Sequence, residues 1–155
     1  VTYHADCTPL YFVDPVHRAI GLSHSGWKGT AGRMGQKTLE AMNRAFGTRP
    51  EDCICGIGPS ICGDCYEIGE DVAQIFRDSF ADTDLLQKQI LRAKGNGKYL
   101  LNLWQANRMI LENAGVPSAQ ISVTDICTCC NPEYLFSHRK AHEKRGNLAA
   151  FLTLK

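Results

Sequence analysis

Two short apolar segments on either side of a proline turn constrain the start of this chain more than any other feature. Leu10–Asp14 and Arg18–Ser23 are both rich in residues that favour strands. The segment between them, Asp14–His17, has the sequence Asp-Pro-Val-His. Because proline fixes φ at a value that suits a tight turn, the pattern predicts a β-hairpin.

The hairpin also predicts a pairing of two reactive side chains. If its turn centres on Pro15 and Val16, Cys7 lies opposite His24 at the open end, with Cβ atoms roughly 5 Å apart. A thiol and an imidazole at that distance suit a Cys–His reactive pair or two ligands of one metal ion. The alternative interpretation is a core cysteine beside a surface or capping histidine.

A complete metal site needs more than this pair, because zinc normally has three or four protein ligands. Along a regular strand, Asp6 and His4 point to the face opposite Cys7. His17 lies at the turn end of the hairpin. The sequence near Cys7 therefore predicts two convergent groups without a third.

The rest of the chain alternates between strand-like and helix-like patterns. This interspersion predicts an α/β or α+β fold with a mixed β-sheet and flanking helices, as one domain over residues 1–155. Apolar spacing predicts helices over Thr30–Gly47, Glu70–Phe80 and Trp104–Asn113. The predicted strands are Cys53–Ile57, Tyr99–Leu103, Ile121–Val123 and Leu148–Leu154.

Composition narrows the class of partner. The 155 residues are 44% hydrophobic and 21% charged, which suits one globular domain. The 17 basic and 16 acidic residues form no cationic block, so we expect neither a nucleic-acid nor a membrane partner. No apolar run reaches the ~20 residues of a membrane span, and no signal-like segment opens the chain, so we expect a cytoplasmic protein. Because the sequence opens on Val1 in a strand-like segment, we expect the C-terminal part of a longer chain.

Eight cysteines are a high count for a chain with no secretory signal. In a protein that is not secreted, free thiols or metal ligands are expected rather than disulfides. Cys62-x-x-Cys65 could combine with Cys127 and either Cys129 or Cys130 into a zinc site of four thiolates. A zinc-stapled structural module is therefore an alternative to an enzyme.

Taken together, the motifs resemble one family over almost the whole chain. Ala5–Pro9 (Ala-Asp-Cys-Thr-Pro) and His24–Thr30 (His-Ser-Gly-Trp-Lys-Gly-Thr) resemble the YfiH or DUF152 family, also labelled laccase-domain polyphenol oxidoreductase. The resemblance continues in order through Gly56–Ile61, Cys65–Gly69, Tyr99–Leu103 with Asn107, Cys127–Thr128 and Phe136–Arg139.

The resemblance implies a fold related to the catalytic domain of a bacterial deamidating toxin of the CNF type. It also implies a metal site of two histidines and one cysteine, usually assigned to zinc, of which Cys7 and His24 match two members. The third is a histidine in an upstream Gln-Val-His segment, which this sequence does not contain. A second departure is Asn147, where many relatives have arginine.

The family's activities imply a chemistry for these residues. They include purine nucleoside phosphorylase, methylthioadenosine phosphorylase and adenosine deaminase, so the expected partners are purine nucleosides and phosphate. Lys28 and Arg139 are the expected phosphate or ribose contacts, since arginine offers a bidentate fork. Copper-dependent laccase chemistry is a weaker alternative, because five histidines cannot supply several copper centres. A hydrolase that uses Cys7 as its nucleophile is a further alternative.

Overall fold

The computed structural model describes residues 1–80, 86–142 and 145–155. The strands are β1 (Thr2–His4), β2 (Thr8–Asp14), β3 (Ala19–Ser25), β4 (Ile54–Ile57), β5 (Glu67–Gly69), β6 (Leu91–Gly95), β7 (Lys98–Leu101), β8 (Ile121–Val123) and β9 (Leu148–Ala150). The α-helices are α1 (Trp27–Ala31), α2 (Met34–Phe46), α3 (Glu70–Ser79), α4 (Leu103–Asn113) and α5 (His138–Ala141). Among the described helices, none has the length and apolar character needed to cross a bilayer.

Three sheets organise these strands. The four-stranded sheet has the order β3-β2-β4-β8, with β2 antiparallel to both neighbours and β4 parallel to β8. A three-stranded antiparallel sheet has the order β5-β7-β6, and β1 pairs with β9. Helices pack between and around these sheets, so the mixed α/β fold predicted from the alternating pattern is confirmed.

The predicted hairpin is formed by β2 and β3, but its register differs from the expected one. His24 pairs with Pro9, and Thr8 pairs with Ser25, so Cys7 has no partner on β3. The turn contains four residues rather than two, because the Asp14 carboxylate accepts hydrogen bonds from the backbone N–H groups of Val16 (2.9 Å) and His17 (3.0 Å). The prediction that Cys7 and His24 face each other across the hairpin is therefore wrong.

The helix expected over Thr30–Gly47 is divided into α1 and α2. Arg33 adopts a left-handed conformation (φ 57°) between them, which interrupts the helical hydrogen bonds. The strand expected to reach Leu103 stops at Leu101, because Asn102 caps α4 by accepting a hydrogen bond from the Gln105 N–H group. These breaks set where α2 and α4 begin.

The buried side chains form two hydrophobic clusters. One contains Phe76, Ile61 and Leu103 beneath the three-stranded sheet, and the other contains Phe12 and Leu10 beneath the four-stranded sheet. Burying each large side chain stabilises the fold by about 1.5–3 kcal/mol. Trp104 on α4 packs against both clusters. The two clusters are thus joined through Trp104 on α4.

Candidate active site: a cleft beside Cys7 and His24

The segment that follows β1 is a bend rather than a continuous strand. Asp6 has φ 88°, an uncommon conformation for a residue with a side chain. Its buried carboxylate accepts hydrogen bonds from the Thr128 hydroxyl (2.6 Å) and the Arg139 backbone N–H (2.7 Å). Asp6 and Cys7 consequently line the same cleft. The expectation that they point to opposite faces is wrong, since it assumed regular strand geometry.

Cys7 and His24 are brought together at Gly26. A Cβ atom placed on Gly26 would lie 2.7 Å from Cys7 Sγ and 3.9 Å from His24 Nε2. Both ligand atoms therefore point at the same small volume, which is open only because residue 26 has no side chain. The two groups converge as expected, although the bend at Asp6 and the turn after β3 produce this convergence.

The orientation of the His24 ring determines which nitrogen is available. Its Nδ1 lies 3.0 Å from the Tyr3 carbonyl oxygen. Since a carbonyl only accepts, the hydrogen-bond pattern assigns the proton to Nδ1. In the neutral imidazole Nε2 then has a free lone pair, which can bind a metal ion or accept a proton.

A buried polar network fixes the backbone next to His24. The Ser25 hydroxyl donates to Asn107 Oδ1 (2.9 Å) and lies 3.0 Å from the Thr30 hydroxyl. Asn107 Nδ2 donates to Thr30 Oγ1 (3.1 Å) and to the Leu103 carbonyl (2.9 Å). Because all three polar side chains are fully buried and hydrogen-bonded, the network joins β3, α1 and α4 rigidly beneath the site.

The cleft beside Cys7 has a volume of about 290 Å³. That is near the lower end of the range of about 300–1,000 Å³ for small-molecule sites. Its walls combine apolar, aromatic and cationic side chains. They are Ala5, Asp6, Cys7, Trp27, Ile61, Tyr66, Leu103, His138, Arg139 and Arg145.

Two arginines give the cleft its positive charge. The Arg139 guanidinium lies 5.4 Å from the centre of the Tyr66 ring and donates to the Glu67 carbonyl at 2.7 Å. Arg145 Nε donates to His138 Nδ1 at 3.1 Å. Since guanidinium has five N–H donors, each arginine can also bind an anion entering the cleft.

Comparisons with known proteins place this architecture in a family. The family described as "Multi-copper polyphenol oxidoreductase laccase" matches residues 1–155. The chain belongs to this family. The YfiH/DUF152 resemblance is thereby confirmed, and a solved YfiH protein from Bacillus licheniformis superposes with a TM-score of 0.87 at 35% identity, covering 94% of this chain and 53% of that one.

Relatives of the family carry enzymatic names. "Purine nucleoside phosphorylase YlmD" of Bacillus subtilis is 38% identical over 151 residues, covering 97% of this chain and 53% of the relative. "Adenosine deaminase RL5", from an unknown prokaryotic organism, is 36% identical over 136 residues, covering 88% of this chain and 50% of the relative. The chain therefore spans about half the length of these relatives.

Within this family member, the Cys7 thiol is not set up as a free nucleophile. Burial and the nearby Asp6 charge raise the pKa of the Cys7 thiol, and the Arg145 charge opposes them only partly. A raised pKa keeps the thiol protonated near neutral pH, and the thiolate is the reactive form. This electrostatic setting disfavours a hydrolase that uses Cys7 without a metal ion.

The donor chemistry of Cys7 and His24 fits zinc, and also copper, since both bind thiolate and imidazole. His4 lies nearby: burial and the His24 charge lower the pKa of His4, and its buried Nδ1 has no hydrogen-bond partner among the residues that the structure describes. However, over residues 1–80, 86–142 and 145–155, Cys7 and His24 do not belong to a compact group of three or more potential ligands. The described residues thus supply two members of the site.

The two residues expected to contact phosphate or ribose, Arg139 and Lys28, lie in different places. Arg139 lines the cleft, whereas Lys28 is exposed on α1 with its ammonium 5.3 Å from the Trp27 ring and is not among the lining residues. Sequence reasoning named no role for Tyr66 or Arg145. Tyr66 stands in a quoted family motif, which was a usable signal, but Arg145 stands in a basic segment that looks like ordinary solvated surface.

Proposed function

We propose that this protein cleaves purine nucleosides by phosphorolysis in the cleft beside Cys7 and His24, with deamination of adenosine as a second activity. The observation that carries the proposal is the convergence of Cys7 Sγ and His24 Nε2 at Gly26, at the edge of a cleft with aromatic and cationic walls. The names of the relatives support the same chemistry.

The aromatic side chains suit the purine base. Trp27 and Tyr66 line the cleft together with the apolar Ile61 and Leu103. Flat aromatic rings favour stacking on a flat heterocycle while excluding water from it. His138 adds a polar contact: its Nδ1 accepts from Arg145, so its Nε2 carries the proton and can donate to a purine nitrogen.

The cations suit phosphate. Arg139 and Arg145 can neutralise the anion, and a guanidinium binds two phosphate oxygens at once. A phosphate oxygen then forms the bond to C1′ of the ribose while the bond from C1′ to the purine nitrogen breaks. The purine leaves with that electron pair and takes up a proton, giving a free base and ribose 1-phosphate. Lys28 is retained as an additional phosphate or ribose contact.

Deamination replaces the 6-amino group of adenosine with a hydroxyl from water, giving inosine and ammonia. Zinc bound by Cys7 and His24 would supply Lewis acidity for such a step. The chain's own contribution is to hold the base between Trp27 and Tyr66 and to orient His24 through its bond to the Tyr3 carbonyl.

The direct test is a product assay on the zinc-supplemented chain with adenosine and phosphate, analysed by chromatography. We expect adenine with ribose 1-phosphate, and inosine as a second product. Cys7→Ala and His24→Ala should abolish both while circular dichroism and Tm stay close to those of the parent. Cys129→Ala is the matched control and should retain turnover. Full turnover in Cys7→Ala would remove the basis of the proposal.

Laccase-type oxidation is less well supported by the positions of the histidines. His17 lies at the far end of the hairpin with its Nδ1 2.8 Å from the Asp14 carboxylate. Several copper centres need many histidine ligands close together. The same protein loaded with copper should therefore not oxidise a phenolic substrate. Oxidation that depends on Cys7 would instead favour the laccase hypothesis.

A further inference from the structure

Four cysteines outside the cleft come together from two distant loops. Cys62 and Cys65 follow β4, and Cys127 and Cys130 follow β8. Their four Sγ atoms all lie within 4.8 Å of one another, so the group could hold a metal ion. In a tetrahedral zinc site with Zn–S bonds of about 2.3 Å, the sulfur atoms are about 3.8 Å apart. Only small side-chain movements separate the observed group from that geometry.

The two loops hold these cysteines in place independently of any ion. Ser60 forms a parallel β-bridge with Cys127, and the Thr128 N–H donates to the Ser60 carbonyl at 3.2 Å. The Cys62 backbone N–H donates to Cys127 Sγ at 3.3 Å. Such an N–H···S bond favours a negatively charged sulfur, which is the form that binds metal. The ligands are therefore arranged before an ion arrives.

The geometry also decides which cysteine completes the set. Both halves have the spacing Cys-x-x-Cys once Cys130 is chosen, and Cys130 Sγ lies 3.4 Å from Cys65 Sγ. The Cys129 Sγ atom is not in the group of four, although Cys129 packs against the same buried cluster as Cys62 and Cys65. The choice between Cys129 and Cys130, which the sequence left open, thus falls on Cys130.

We propose that Cys62, Cys65, Cys127 and Cys130 form a second metal site that binds one zinc ion and serves a structural role. Four thiolates complete the tetrahedral coordination of zinc, and a site without an open position is structural rather than catalytic. Zinc enters as the divalent ion, and the thiols that are still protonated release their protons to solvent. No electron transfer is involved.

The proposed ion would fix two walls of the cleft. Tyr66 follows Cys65 directly, and Thr128 follows Cys127 directly. Tyr66 lines the cleft, and the Thr128 hydroxyl holds the Asp6 carboxylate at 2.6 Å. An ion that joins the two loops therefore restrains both positions. Removing it should loosen the Asp6 carboxylate that also binds the Arg139 backbone N–H.

The test is the metal content of the 155-residue chain, purified anaerobically under reducing conditions and supplied with zinc. Cys65→Ser and Cys130→Ser should each lose about one zinc per chain relative to the parent. Cys129→Ser is the matched control from the same loop and should keep that zinc. Cys7→Ala should still hold the zinc of the four-cysteine group, and adding Cys130→Ser to Cys7→Ala should remove about one further zinc, which separates this site from the cleft.

A second measurement does not depend on the variants folding. Cobalt(II) added to the parent chain should give the intense sulfur-to-cobalt charge-transfer absorption of several thiolate ligands, and zinc should abolish it. Adding a strong chelator should lower Tm and speed amide exchange at Arg139. The proposal would be overturned by full zinc content in Cys130→Ser, by bound iron in place of zinc, by a Cys65–Cys130 disulfide in the reduced preparation, or by a cobalt spectrum with a single thiolate.

Discussion

The cleft and the four-cysteine group both present sulfur ligands, but they differ in how complete and how open they are. The Cys7 thiol and the His24 imidazole converge at the edge of the cleft, and two arginines, two aromatic rings and His138 are in its walls. The cysteine group has four sulfur atoms within 4.8 Å, and the described residues that line the neighbouring hollow include no arginine. The cleft has an incomplete ligand set beside charged and aromatic groups, which suits chemistry on a substrate. The cysteine group has a complete set of four ligands, which suits a structural ion that joins two loops.

The largest expected effect comes from a substitution that disturbs the cleft and leaves the cysteine group intact. Gly26→Ala places a Cβ atom 2.7 Å from Cys7 Sγ, so the thiol must move away from His24. We expect kcat/KM for nucleoside to fall about 100-fold, in the range seen when the surroundings of a metal ligand are disturbed. Zinc in the cysteine group should be unchanged. Gly56→Ala is the control, since its Cβ would meet Tyr11 at an ordinary 3.6 Å. Unchanged activity in Gly26→Ala would show that the Cys7–His24 geometry is not needed.

The next effect would test the connection between the two regions. Thr128→Val removes the hydroxyl that donates to the buried Asp6 carboxylate at 2.6 Å. A buried charged group that loses such a bond destabilises the fold by about 2 kcal/mol. Urea unfolding should show this loss, whereas Thr128→Ser should stay close to the parent. If Thr128→Val is as stable as Thr128→Ser, the Asp6 contact does not couple the loops.

A smaller effect would sharpen the role of charge in the cleft. Arg139→Lys keeps the positive charge but removes the planar fork above Tyr66. We expect KM for phosphate to rise about tenfold, equivalent to about 1.4 kcal/mol, with little change in KM for the nucleoside. Arg108→Lys is the control, because Arg108 on α4 forms an ion pair with Glu112 and does not line the cleft. Equal KM values for phosphate in the parent and Arg139→Lys would exclude Arg139 as the anion contact.

The smallest effect concerns a position remote from both regions. Burial disfavours the charged Asp14 carboxyl, but the neighbouring Thr48 hydroxyl, together with hydrogen bonds from the His17 backbone and ring and from the Val16 backbone, outweighs burial and lowers the pKa of Asp14 to about 2. Because this folded-state pKa lies below the ordinary value of 3.8, the stability it contributes is present above about pH 4 and is lost as pH falls through about 2.

Asp14→Asn should therefore lower the free energy of unfolding by about 1 kcal/mol at pH 7. The difference from the parent should shrink below pH 4 and vanish under pH 2, as measured by urea titrations at each pH. Nucleoside turnover should not change. A difference that is constant with pH would mean that the carboxylate charge does not stabilise the turn.

Much of the fold could be predicted because its signals are local. The apolar spacing of Glu70–Phe80 and Trp104–Asn113 predicted helices that the structure confirms to within a residue at either end. The register of the hairpin could not be predicted, because it depends on the Asp14 carboxylate capturing two backbone N–H groups. A two-residue change in turn length moves every cross-strand partner.

The motifs that contain Cys7 and His24 could be predicted from the sequence, but the backbone geometry that shapes the cleft could not. Cys7 and His24 stood in short, recognisable segments, and their atoms converge. The bend at Asp6 could not be foreseen, because its left-handed backbone is held by Thr128 and Arg139, more than 120 positions along the chain. The four-cysteine group shows the same limit: the spacing of Cys127, Cys129 and Cys130 allowed two ligand sets, and only the three-dimensional positions of the Sγ atoms distinguish them.

The two long-range bonds of the Asp6 carboxylate have a consequence for the order of events during synthesis. Asp6 leaves the ribosome before its partners Thr128 and Arg139, which follow 122 and 133 positions later. At ordinary translation speeds that delay is on the order of ten seconds. Throughout it Asp6 lacks both of those partners, and β1 lacks its neighbour β9. The nascent chain can thus fold its hairpin long before it has a cleft, and a ribosome stalled before residue 128 would carry a protein without a site.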